Sequence, residues 1–171
     1  MIFKDKTKGG YSLIEIIMYL AILAGITIVI VNILTQISSS RTRLTAAQRV
    51  ATSAGLSLDR MAREIHTATG VSTTTSVLGT SPGRLVLNGL ESGSPYTIEF
   101  SLSGNTLNII RNGVTTGPLT EAGTSVTELI FRHSASSTDQ AISIEMTIQS
   151  GTSTSYRSEK FYTTAVLRQS L

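Results

Sequence analysis

Cysteine and tryptophan are absent from the 171 residues. No thiol nucleophile, thiolate metal site or disulfide framework can therefore be built. Aromatic residues make up only 5% of the chain, too few for the stacking platforms that hold bases. Charge is scarce as well, at 15% of residues against about a quarter in average usage. The net charge of +3 rests on a few lysines, Lys4, Lys6 and Lys8, near the start of the chain. The remainder is close to neutral and carries no clustered basic stripe, so a nucleic-acid partner is not expected. Proline does not occur before Pro82, which leaves nothing in the first half to break a helix. Abundant serine and threonine favour β-structure and loops outside the cytosol over a helical enzyme, and the length allows one domain or one domain plus an appendage.

Against these shortages stands one long apolar run. Ile16 to Leu34 is 19 consecutive positions without a charge, which meets the ~20 residues that a membrane-spanning helix needs. Gly25 and Asn32 are tolerable inside it, where small and polar residues face a protein neighbour. A secretory signal has a shorter core, about 7–15 residues, and ends in a small-x-small cleavage site. The segment from Gln36 to Thr42 offers no such site. Lysines precede the run and Arg41, Arg43 and Arg49 follow it, so charge alone does not orient it. Glu15 stands at its mouth, between Leu13-Ile14 and Ile16-Ile17. A carboxylate in lipid is costly and is a functional candidate by default. Ser12-Leu13-Ile14-Glu15 also has the spacing of a capping box, in which the glutamate only caps the helix.

Gly10-Tyr11-Ser12-Leu13-Ile14-Glu15-Ile16, following a short basic leader and preceding an unbroken apolar helix, resembles the cleavage and methylation motif of type IV pilins and type II secretion pseudopilins. The usual form in that family is glycine followed by F-T-L-I-E-L; Tyr11 and Ser12 are conservative departures. The resemblance implies that a prepilin peptidase cuts between Gly10 and Tyr11 on the cytoplasmic side and methylates the new amino group of Tyr11. It further implies that Glu15 meets the terminal amine of a neighbouring subunit during filament assembly. That pairing is physically sound, because a buried carboxylate needs a cationic partner. Many pilins carry a proline inside the apolar helix, which this chain lacks.

Downstream, Leu44, Ala47, Ala51, Ala54, Leu58, Met61 and Ile65 recur at alternating steps of 3 and 4, the stripe of an amphipathic helix. One helix over about 12–68 would be roughly 85 Å long, with Gly70 as its stop and Gly55 or Ser38-Ser39-Ser40 as places for a bend. The C-terminal half of the stripe is expected on a following sheet, and the N-terminal half on partner subunits. Beyond Gly70 the period changes to 2. Strands are expected at Arg84–Asn88, Tyr96–Leu102, Leu107–Arg111, Val126–His133, Ala141–Gln149 and Phe161–Leu167, with Gly104-Asn105 as a two-residue hairpin turn. The expected architecture is α+β: a long N-terminal helix packed on a C-terminal antiparallel sheet. Its divisions are a leader (1–10), a hydrophobic transmembrane or filament-core helix (11–36), an amphipathic stalk helix (37–70) and an antiparallel β head (71–171). Leu58 to Ile65 and the closing Phe161–Arg168 strand resemble J-type minor pseudopilins and related minor pilins.

Enzymatic signals are missing. His66 and His133 lack a metal-binding spacing, the acids of the second half form no calcium-loop pattern, and P-loop and S-x-x-K motifs do not occur. Gly113–Gly117 is too short to cradle phosphate. No catalytic residue, cofactor or metal is expected. Two functions fit. The first is a structural, minor subunit of a type IV pilus or type II secretion pseudopilus. Its partners would be the prepilin peptidase, other pilin or pseudopilin subunits, an inner-membrane assembly platform and, before assembly, membrane lipid, with the leader cytoplasmic and the head outside. The second is a permanently membrane-anchored extracytoplasmic binding or adhesin module that keeps residues 1–10 and never assembles.

Overall fold

The structure, a computed structural model, describes Gly10 and residues 12–136, 139–151 and 155–167. One helix, α1 (Leu13–Thr67), precedes eight strands among the described residues: β1 (Gly70–Val71), β2 (Leu85–Glu91), β3 (Ser94–Ser103), β4 (Thr106–Arg111), β5 (Val114–Pro118), β6 (Thr124–Ala135), β7 (Gln140–Ser150) and β8 (Arg157–Val166). The helix-plus-antiparallel-sheet layout is the expected one. The chain divides into two compact units, one up to Arg41 and one from Thr42 onward. The helical hydrogen bonding of α1 continues through Gly25, Ser38–Ser40 and Gly55, and it ends at Thr67, so Gly70 opens β1 instead of stopping the helix.

The second unit holds two antiparallel sheets where one was expected, in the orders β1-β2-β3-β4-β5 and β6-β7-β8. β1 and β5 are additions to the expected strands, and Gly113–Gly117 lies in the β4–β5 turn and β5 itself. The Gly104-Asn105 turn is as expected, with Ser103 opposite Thr106. Period-2 alternation aims Leu85, Leu87, Ile98, Phe100, Leu107 and Ile109 from the first sheet, and Ile142, Ile144, Met146 and Ile148 from β7, into a single core.

On β6 the alternation is broken once. A bulge between Val126 and Glu128 shifts the register against β7. An uninterrupted strand would carry Val126 and Glu128 on one face. The extra residue, Thr127, changes the parity, so Val126 and Leu129 are both buried and Glu128 turns outward beside Thr147 and Lys160. The 77–83 segment covers the free edge of β6: Gly79 N donates to Phe131 O at 2.8 Å and Gly83 N to Leu129 O at 2.7 Å. A β-carbon at position 83 would stand 2.8 Å from Leu129 O, which is why only glycine fits this approach.

The helix face that meets this core differs from the expected stripe. Met61, Ile65 and Ala54 are buried as expected, but Leu44 and Ala51 are exposed, and Ala46, Val50, Ser53 and Ser57 take their place. A strict repeat of seven drifts about 20° per heptad on a straight helix. Anchored at Met61 and Ile65, the predicted row therefore rotates off the core by the time it reaches Leu44. Two of the true contacts are serines, invisible to an apolar pattern. Ser57 Oγ donates to Leu119 O at 2.9 Å, and Ser53 Oγ accepts from Glu121 N at 3.1 Å while lying 3.2 Å from Thr124 Oγ1. Small hydroxyl residues let the β5–β6 connection approach α1 closely and satisfy its buried polar groups. At the far end, His66 Nδ1 lies 2.7 Å from Val166 O, tying the last helical turn to β8.

Candidate functional site

The first unit contains the motif and the apolar run. Gly10 is exposed, with open space around its backbone. Tyr11, expected as both the residue after the cut and the methylation site, lies outside the described residues. Ser12 precedes the helix, and its carbonyl accepts from Glu15 N at 3.0 Å and Ile16 N at 3.2 Å, closing the first turn. Glu15 therefore sits in that turn, where the helix dipole favours an anion. Its carboxylate reaches onward along the helix: Oε1 accepts a hydrogen bond of 2.9 Å from the Tyr19 hydroxyl one turn away. Sequence reasoning passed over Tyr19, although a tyrosine four residues after a lone glutamate is a readable signal.

From Leu13 to Ile37 the large apolar side chains are exposed, among them Ile22, Ile26, Val29 and Ile33. The helix is long and apolar enough to cross a membrane, and none of its most apolar window is buried. The hydroxyls in this stretch do not interrupt its apolar character. Thr27 donates to Leu23 O at 2.8 Å, and Thr35 to Asn32 O at 2.9 Å. Both polar groups are thus satisfied inside the helix, the condition that hydrocarbon imposes.

The second unit offers no comparable concentration of chemistry. Its acids are spread over ion pairs: Glu64 with Arg60, Glu91 with Arg111, Glu99 with Arg84, Glu159 with Arg157. On the outer face of β6-β7-β8, Lys160 bridges Glu128 and Glu145, and Arg132 reaches Glu145 at 3.6 Å. The Lys160 ammonium, which donates to Glu145, holds that carboxyl below the usual range against the opposing pull of desolvation, with Arg132 adding in the same direction. The hydrogen bond to Glu145, followed by the one to Glu128, raises Lys160 in turn. His133 Nε2 lies 3.3 Å from Gln140 Oε1. Among the described residues no three His, Asp or Glu side chains gather to hold a metal ion. No protein-family model, curated protein or solved structure matches the chain.

Proposed function

We propose that this chain is a structural, minor subunit of a type IV pilus or type II secretion pseudopilus. It is cut by a prepilin peptidase between Gly10 and Tyr11, methylated at Tyr11, and assembled through its N-terminal helix. The observation that carries the reading is the pairing of the G-Y-S-L-I-E motif with an exposed apolar helix whose first turn holds Glu15. Before assembly the apolar segment anchors the subunit in the cell membrane, with the leader cytoplasmic and residues 71–171 outside. In the filament the same side chains trade lipid for neighbouring helices, an exchange of one apolar surrounding for another. Glu15 then gains the ammonium freed at a neighbour's Tyr11, the cationic partner that a buried carboxylate requires. The work of such a subunit is assembly on the membrane platform with other pilins or pseudopilins, and it needs no catalytic group, cofactor or metal.

Intact mass and N-terminal sequencing of the protein from cells that contain the peptidase test the reading. The expected product begins at an N-methylated Tyr11. A mature protein that still begins at Met1 overturns the proposal in favour of a permanently anchored binding module. Glu15→Ala is expected to be cleaved normally and to be depleted from filaments; unchanged incorporation removes Glu15 from the assembly contact.

A further inference from the structure

We propose that Tyr19 is a positioning residue for Glu15: its hydroxyl holds the carboxylate on one face of the apolar helix, ready for the neighbour's ammonium. The inference rests on the filament reading and adds to it a residue that the motif does not contain.

The geometry begins with helix direction. Side chains on an α-helix lean toward its N-terminus, and residues four apart lie one above the other. Tyr19 thus leans back over Glu15, and its phenol is long enough to reach Oε1 at 2.9 Å. Left to itself, a glutamate at the mouth of an apolar run would extend toward the aqueous interface, away from its own helix. The Tyr19 bond opposes that. Tyr19 lines a shallow groove with Ile16, Leu20 and Leu23, so the carboxylate is held at the edge of this apolar face.

The chemistry suits the task. A hydroxyl donating to a carboxylate makes a charge-assisted bond, stronger than a neutral one, and in a setting with little water it offsets part of the cost of a lone anion. It does so without neutralising the charge. A carboxylate accepts several hydrogen bonds, so a donor on Oε1 does not exclude an incoming ammonium. Lysine at position 19 would instead satisfy Glu15 internally and remove its need for a neighbour. Tyrosine keeps the anion poised and unspent.

The test uses the full chain in cells that assemble the filament, with Tyr19→Phe, Glu15→Ala and the double variant. Maturation is followed by N-terminal mass, and incorporation by the ratio of subunit in sheared filaments to subunit in membranes. Tyr19→Phe keeps the ring and removes only the donor. It is expected to mature normally and to lose incorporation by roughly tenfold, the scale of one hydrogen bond to a charged group. Adding Tyr19→Phe to Glu15→Ala is expected to cause no further loss, because the hydroxyl acts only through the carboxylate. Wild-type incorporation of Tyr19→Phe, or losses that multiply in the double variant, overturns the assignment and leaves the filament reading standing. Full incorporation of a correctly matured Glu15→Ala removes Glu15 from the assembly contact and overturns the Tyr19 assignment with it, whereas a product that still begins at Met1 overturns the filament reading itself.

Discussion

Valine 29 and valine 50 belong to one helix and meet opposite surroundings. Val29 is 56% exposed and Val50 is 0% exposed, and the same contrast holds for Ile26 against Ile65. From Leu13 to Ile37 the large apolar side chains of α1 are exposed; from Thr42 the helix is amphipathic, and the second unit folds its sheets over one face. A helix apolar all round belongs in lipid or in a bundle, whereas a striped helix belongs at the edge of a core. Composition alone therefore assigns two solvents to one continuous element.

The largest expected effect comes from placing the same substitution in both halves. Val50→Asp buries an unpaired charge and is expected to abolish cooperative unfolding of the second unit, at a cost on the order of 5 kcal/mol or more. Val29→Asp is expected to leave that unfolding unchanged and to weaken membrane retention by about 3 kcal/mol. Thermal circular dichroism and membrane fractionation read the two outcomes. A Val50→Asp protein that melts like the parent would erase the distinction between the halves.

A smaller effect tests the serines. Ser57→Ala leaves Leu119 O without its donor and is expected to cost about 1–2 kcal/mol in denaturant unfolding, with Ser53→Ala similar. Ser39, whose hydroxyl donates to Gln36 O in the first unit, provides the contrast. Ser39→Ala is expected to change stability by no more than about 0.5 kcal/mol.

The smallest effect lies on the outer face of β6-β7-β8. Glu145 is lowered in the folded state, so its contribution is present above the ordinary value of 4.5 and fades as pH falls through the lowered one. Lys160 is raised, so its contribution is complete below 10.5 and fades as pH climbs beyond that. Lys160→Met is expected to melt slightly below the parent at neutral pH, with the gap closing toward both extremes. A gap that persists in acid would place the effect in packing against Tyr162, whose ring lies 5.7 Å from Nζ.

The helix, the hairpin at Gly104-Asn105 and the alternation of β7 are legible in the sequence because each is local and strongly periodic. The division into two sheets is not, since it depends on which distant strands pair. β5 (Val-Thr-Thr-Gly-Pro) escapes notice because glycine and proline read as loop, yet an edge strand tolerates both. Ser53 and Ser57 escape because hydroxyls count as surface until a partner backbone is known. Glu15 is conspicuous in the sequence as a misplaced charge; Tyr19 is readable beside it only as a spacing of four, and the hydroxyl on Oε1 turns that spacing into a contact.

The hydroxyl contacts along α1 have a mechanical consequence. Ser57 grips the connection leaving the first sheet, Ser53 grips the approach to β6, and His66 meets the end of β8. A pull along the helix would load these bonds side by side, together with the buried apolar face, in shear. They must yield almost together, so tension arriving along the helix is resisted collectively instead of being peeled away strand by strand.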